Sequence, residues 1–399
     1  MTATRAKANG ARTRIALPHR ADPSATVGEG LRFGVPTGKR FEERALQFLD
    51  SCGLSVKRAH ERQLTADFSG LPGVTVIVQR ARDILTQVTD GKLDAGITGM
   101  DLVEEFGHEG GDLVILYKDL GFSAVNVELV VPDSWVDVVS LADLADVAAT
   151  MRERGDELRI ATVFPRLTQR FLYQKGITHF TIVPAEGGVE AAPSVGFADV
   201  VSDVVESGVS LKENRLKLLR NGRILHSEAC IVGNRRALAG SPAKRELTRR
   251  ILELIEARLR AQDYYSVTAN LRGESEAEVA RALLASPVTH GRRGPTVARV
   301  YTEDEDERWF AATIIVDTGS LQPAIDHLRA VGGSGISVVP VRYLFDERSH
   351  VYEAVLAELG VRHTYAPPLS PSPSVRGGMG APPPPESASP LPEGEGAGG

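Results

Sequence analysis

The sequence predicts an α/β fold: two lobes with a ligand cleft between them, followed by a third and smaller unit. Three observations carry that expectation. Short apolar runs alternate with amphipathic stretches from Leu31 onward, the pattern of a mostly parallel, buried sheet covered by helices. A fresh strand at Asn126–Val131 opens a second such series, and Arg223–Gly233 reads as a strand returning to the first. From Tyr264 to Pro340 the order becomes β-α-β-β-α-β, the ferredoxin-like pattern.

Taken in order, Leu31–Val35 is a strand and Glu42–Ser51 a helix that Gly53 stops. Val74–Gln79 is an apolar strand, Arg82–Thr89 a helix closed by Asp90-Gly91, and Ala95–Thr98 a strand leading to a helix from Asp101. In the second series Leu141–Met151 is helical, Arg159–Val163 a strand, and Leu167–Gln174 a helix stopped by Gly176. Thr178–Val183 is a strand, Glu190–Val195 a short helix, and Val200–Val205 a strand. Glu246–Gln262 is a long amphipathic helix leaving the lobes. The third unit has strands at Tyr264–Asn270, Thr296–Tyr301, Trp309–Val316 and Ile336–Pro340, with helices at Ser275–Ala285 and Leu321–Val331. The expected division is an N-terminal extension over 1–30, lobe I over 31–121 and 223–245, and lobe II over 122–222. A linking helix and C-terminal unit over 246–365 and a disordered Pro/Gly-rich tail over 366–399 complete it.

The chain has 399 residues and a net charge of −6, too long for one typical domain and not basic enough for non-specific nucleic-acid binding. Only Cys52 and Cys230 are present, far apart and without metal-ligand spacing, which argues against a disulfide scaffold and a structural zinc site. No apolar run reaches the roughly 18 residues of a membrane span, so a cytoplasmic protein is expected.

The stretch most suggestive of chemistry is Asp199-Val-Val-Ser-Asp-Val-Val-Glu-Ser-Gly-Val-Ser210, a strand ending in a small, hydroxyl-rich turn. Gly208 lets backbone N–H groups close around an anion, and Ser207 and Ser210 add hydroxyls. Asp199 and Asp203 lie just upstream, suited to sugar hydroxyls or Mg²⁺. A plain strand–turn–helix with no ligand is the alternative for this stretch alone.

Lys39, Gly53, Arg80-Ala-Arg-Asp83, Gly96-Ile-Thr-Gly99, Arg159-Ile-Ala-Thr162 and Gly188-Val-Glu190 fall in an order that resembles the ATP phosphoribosyltransferase family, long form. The resemblance runs from about Leu31 to about Leu359. It implies two periplasmic-binding-protein-like lobes and a C-terminal ferredoxin-like regulatory domain. It implies transfer of the phosphoribosyl group of phosphoribosyl pyrophosphate to N1 of ATP, the first step of histidine biosynthesis, with Mg²⁺, feedback inhibition by histidine, and dimer or hexamer assembly. A non-catalytic bilobal ligand-binding or regulatory paralogue is the alternative. Such a reaction needs positioning and charge neutralisation more than a strong base, and no Ser/His/Asp or Cys/His set is evident.

By that resemblance, Glu206, Ser207, Gly208, Val209 and Ser210 hold the 5-phosphate, and Asp199 and Asp203 are the acids beside the ribose. Arg80 joins them as catalytic. Lys39, Asp83, Gly99, Arg159, Thr162 and Glu190 match positions near ATP or pyrophosphate. Arg80 equally reads as a solvated strand-end charge and Glu190 as a helix cap. Pro36-Thr-Gly-Lys-Arg40 stands where Pro-Lys-Gly-Arg-Leu is usual; Lys39 meets a phosphate as a point charge, without the fork of Arg. Thr296 in Gly-Pro-Thr and Gly335 in Gly-Gly-Ser-Gly resemble histidine-site positions, or merely shape turns. The metal ligands are not specified by the sequence.

Overall fold

The computed structural model describes residues 30–58, 60, 63–107, 111–206, 208–302 and 307–362. The expected extension before Gly30, Ser207 and the tail beyond 362 lie outside the described residues, as does the side chain of Lys39.

Lobe I begins with β1 (Leu31–Pro36), α1 (Lys39–Ser51), β2 (Val56–Lys57), β3 (Thr65–Phe68) and β4 (Val74–Gln79). It continues with α2 (Ala81–Thr89), β5 (Ala95–Gly99), α3 (Met100–Phe106) and β6 (Leu113–Tyr117). The chain then crosses to lobe II: β7 (Val125–Pro132), α4 (Leu141–Glu153), β8 (Leu158–Thr162), α5 (Pro165–Gln174) and β9 (Phe180–Pro184). A single 3₁₀ turn at Val189–Ala191 leads into α6 (Ala192–Val195), β10 (Val200–Val205), α7 (Val209–Glu213) and the long β11 (Leu216–Ser227). One residue, Glu228, separates β11 from β12 (Ala229–Asn234), which pairs with β5 and β6 back in lobe I. The helices α8 (Arg235–Gly240) and α9 (Pro242–Ala261) follow.

The two sheets run β2-β3-β4-β1-β5-β12-β6 and β11-β7-β10-β8-β9. They are not mostly parallel, as the alternation suggests. Within the first only β1–β4 and β1–β5 are parallel, and within the second only β8–β10 and β8–β9. There are two reasons: β2, β3 and β4 pair antiparallel in succession at one edge, and the crossovers bring β7 and β12 into each sheet against their neighbours. The strand expected over 223–233 is likewise two strands in two sheets, so β11 belongs to lobe II as far as Ser227. Helix α1 starts at Lys39, three residues before the expected start.

The third unit is β13 (Tyr264–Arg272), α10 (Glu276–Leu284), β14 (Thr296–Val300), β15 (Trp309–Asp317), α11 (Leu321–Ala330) and β16 (Ser334–Pro340). Its antiparallel sheet runs β14-β15-β13-β16, with one face buried through Val267, Ala269, Leu271, Phe310, Ala312 and Ile314. Ser275 caps α10 by accepting from the Glu278 N–H, and α11 follows a turn held by Asp317. The final helix α12 (His350–Leu359) does not stay with this unit. Tyr352, Val355, Leu356 and Leu359 enter the lobe I core with Leu49, Leu54, Ile251 and Ile255.

Several contacts tie the lobes together, among them those of Glu105 and Glu206. On α3, the buried Glu105 accepts from the Arg166 and Leu167 N–H groups at 2.9 and 2.8 Å, capping α5 from the other lobe. At the mouth, Glu206 accepts from Arg40 and Arg44 of α1 at 3.0 and 2.7 Å. The first is buried and the second exposed, so the first is the stronger constraint.

Candidate active site

The parallel strands of both lobes point their C-terminal ends at the space between them, where open α/β sheets place ligands. A cavity of about 210 Å³ lies there. It is lined from lobe I by Arg40, Phe41, Arg44, Ala81, Gly99, Asp101 and Leu102, and from the crossings and lobe II by Ser123, Val125, Glu206 and Ser227 to Ala229. The two crossings are bonded together by the Ala229 N–H donating to the Phe122 carbonyl, at 3.1 Å.

Asp203 sits on β10 opposite Glu128 of β7. Burial, reinforced by the nearby Glu190 carboxylate, pushes its pKa up to about 6, while the Val204 N–H partly offsets this. Beyond β10 the chain turns at Gly208, whose φ of 70° and ψ of 7° are left-handed and favour glycine. A Cβ built at Gly208 meets no atom within 4 Å, so the face of this turn is open. The helix after the turn is the five-residue α7, with Val209 and Ser210 in its first turn. Glu206 is held by Arg44 and Arg40, which keep its carboxyl below the usual range.

Arg80 stands at the end of β4 as the N-cap residue of α2, with Asp83 in that helix's first turn. Both are exposed, and among the described residues neither side chain forms an ion pair. Gly99 ends β5 against the cavity; a Cβ there would collide with the Asp101 carboxylate.

The structure does not bring Asp199 and Arg159 to this place. Asp199 precedes β10, four residues before Asp203, which is about 13 Å along an extended strand. Its carboxylate is forked by Arg159 at 3.2 and 2.8 Å and accepts the Arg159 N–H at 2.9 Å. That clasp sits at the N-terminal ends of β8 and β10. Lobe I repeats it: Arg32 of β1 forks Asp94 before β5, again with the Arg32 N–H donating to the same carboxylate. Thr162 is also occupied, since it is fully buried and its Oγ1 accepts from the Phe164 N–H at 2.9 Å. Replacing Asp199 by Ala is therefore expected to lower stability by about 1–3 kcal/mol while leaving kcat within roughly tenfold. Urea melts beside steady-state kinetics check this, and a thousandfold fall in kcat at unchanged stability would return Asp199 to the reaction centre.

Thr296 and Gly335 lie on β14 and β16, opposite edges of a four-stranded sheet and roughly 14 Å apart. A single subunit does not unite them. Sequence reasoning missed Arg44, Asp101, Ser123 and Ser227. Arg44 was findable, because it falls four residues after Arg40 and hence on the same helical face.

The sequence pattern described as ATP phosphoribosyltransferase matches residues 80–257, and the one described as HisG, C-terminal domain, matches residues 261–343. ATP phosphoribosyltransferase 2, chloroplastic, of Arabidopsis thaliana is 38% identical over 346 residues, covering 85% of this chain and 83% of the relative. The chain belongs to the ATP phosphoribosyltransferase family. ATP phosphoribosyltransferase of Bradyrhizobium sp. (strain ORS 278) is 34% identical, covering 82% of this chain and 98% of that one. An ATP phosphoribosyl transferase complex from Thermotoga maritima shares 26% identity over 57% of this chain and 96% of its own, with a TM-score of 0.43. As a long-form member with both family regions, the protein transfers the phosphoribosyl group of phosphoribosyl pyrophosphate to N1 of ATP and releases pyrophosphate. This is the first step of histidine biosynthesis. Among the described residues no helix is long and apolar enough to cross a membrane.

Proposed function

We propose that the interlobe cleft is where this transfer occurs. Phosphoribosyl pyrophosphate lies with its 5-phosphate on the turn from Glu206 to Ser210 and its ribose beside Asp203. The observation that carries this reading is the meeting of charge at the cavity: Glu206, at the end of the strand that carries Asp203, holds Arg40 and Arg44 of lobe I on the cavity wall. The arginines draw on the departing pyrophosphate as the C1–O bond breaks. Glu206, now spanning Arg40 and Arg44, gives them up to the more highly charged substrate, since exposed pairs of this kind are worth little. Lys39 adds a point charge from the first turn of α1.

Mg²⁺ fits this reading as an ion carried on the pyrophosphate. Among the described residues no group of three or more ligating side chains gathers to hold a metal. Two close carboxylates, Asp203 and Glu190, are available to complete a shell of phosphate and water oxygens. When bound, the ion neutralises charge developing on the leaving group.

Replacing Gly208 by Val tests the cradle. The fold has room for a Cβ there, and the left-handed backbone costs about 1–2 kcal/mol or more for a branched residue, so folding of the variant is checked first. A phosphate approaching the backbone does not have that room. The expected result is a fall of about 10²-fold in kcat/KM for phosphoribosyl pyrophosphate, read by pyrophosphate release. Near-normal KM in a folded Gly208→Val protein refutes the assignment.

Histidine inhibition and a homo-oligomer belong to the same reading. An inhibitor that touches both Thr296 and Gly335 must bridge two subunits, because one sheet holds them at opposite edges. Thr296→Ala and Gly335→Val should each raise the histidine concentration for half-inhibition about tenfold or more and leave basal turnover intact. Point variants are the proper test, since cutting the chain after α9 would strip α12 from the lobe I core. Unchanged inhibition in both variants moves the inhibitor elsewhere.

A further inference from the structure

The cavity holds a carboxylate that the reading above leaves unused. Asp101 is only 9% exposed, yet it lines the interlobe space and forms no ion pair among the described residues. Its Oδ1 accepts from Ser227 Oγ at 2.7 Å, and the same hydroxyl accepts from the Asp101 N–H at 2.8 Å. Ser227 is itself buried at the end of β11, so the pair joins lobe I to the crossing. Gly99 leaves the room the carboxylate needs. On the same cavity wall, the buried Ser123 Oγ has no hydrogen-bond partner among the described residues, and Ser123 adopts a φ of 54° that non-glycine residues rarely take.

A buried carboxylate without a cation costs the fold stability, and burial indeed pushes the Asp101 carboxyl above its usual range. A purely structural role requires no cavity beside it. The surrounding walls are Phe41, Ala81, Leu102 and Val125, which suit the faces of a flat ring better than a sugar crowded with hydroxyls. That apolar wall lies directly beside Asp101, so a purine seated on it brings its polar edge to the carboxylate.

We propose that Asp101 accepts the proton lost from the exocyclic amine of adenine as N1 attacks, with Ser227 holding the carboxylate in position. The inference rests on the transfer activity assigned above. The N1 lone pair forms the bond to C1, and the C1–O bond breaks with its electron pair leaving on pyrophosphate. The purine would then carry a positive charge shared with its 6-amino nitrogen. Passing one N–H proton to Asp101 leaves a neutral imine, and Asp101 returns the proton to water after product release. Ser123 Oγ is placed to hydrogen-bond the ring edge beside it.

The test uses the full chain, Asp101→Asn, and two nucleotides: ATP, and purine riboside triphosphate, which lacks the 6-amino group. Asp101→Asn should lower kcat with ATP by about 10²–10⁴-fold, the usual yield of a positioned base, with KM for phosphoribosyl pyrophosphate little changed. On the analogue, which has no such proton to lose, wild type and variant should match within about twofold. Formate should restore part of the ATP turnover of Asp101→Ala, and it decides alone if the analogue is not a substrate. An equal loss on both nucleotides, an Asn variant as fast as wild type on ATP, or a folded Asp101→Ala that formate leaves unrescued overturns the proposal. Wild type that turns over no ATP would instead undo the activity itself.

Discussion

Replacing Asp203 by Asn is expected to make the protein more stable and nearly inactive. The pKa of this carboxyl rises from 3.8 to about 6 on folding, chiefly through burial. Between those values the folded protein binds the proton that the unfolded chain has released. Stability therefore falls as pH rises from about 4 to about 6 and stays low above. A rise of that size is worth about 3 kcal/mol at most, and an uncharged amide of the same shape avoids the penalty. Activity moves the other way. A charge opposed to the developing positive sugar is lost, and kcat should drop by about 10²–10³-fold. Wild-type turnover should fade below pH 6 as the carboxylate takes up its proton. Urea melts at pH 4.5 and pH 8 check the first half: the variant's advantage should be larger at pH 8. An Asn variant less stable than wild type at pH 8 would show that the carboxylate has a partner in the fold.

Removing Asp94 should do the opposite, costing about 3–5 kcal/mol of stability through a residue remote from the chemistry. Asp94 is fully buried and binds two cations: Arg32 at 3.0 Å and Lys244 of α9 at 2.9 Å. Burial by itself would raise its pKa, but the hydrogen bonds from Arg32 and Lys244 outweigh it and hold the carboxyl low. Arg32 is partly exposed and tolerates the loss. Lys244 is 8% exposed and would be left as a buried, unpaired ammonium. In Asp94→Ala/Lys244→Met that orphan charge is gone, so more than half of the lost stability should return. A double variant no more stable than Asp94→Ala alone would place the cost in Arg32 and the packing around β5.

The two Arg–Asp clasps also show what kind of signal sequence reading passes over. Leu31-Arg32 with Asp94-Ala95, and Leu158-Arg159 with Asp199-Val200, are the same device used once in each lobe. Each partner is unremarkable on its own line of sequence. Asp199 groups with Asp203 in the sequence because they are neighbours along the chain, yet an extended strand carries neighbours away from each other. Conversely, the local course of the chain through Asp203, Glu206 and Gly208 was legible, because a strand, its end and a left-handed glycine follow each other without interruption. Arg44, Ser123, Asp101 and Ser227 come together from α1, the two crossings and α3, and no local spacing announces them.

By itself the sequence determined the alternation of strands and helices, the β-α-β-β-α-β unit, the family and the glycine turn after β10. All of these depend on side-chain period, turn chemistry or ordered motifs, which are local. Tertiary structure alone decided that the sheets are mixed, that β11 and β12 part at Glu228, and that α12 returns to lobe I. It also set Asp101 and Glu206 on the cavity wall and spent Asp94 and Asp199 on holding strands. Those outcomes depend on which distant segments pair and which charges are left buried without partners, and the energy that selects them exists only once the chain has folded.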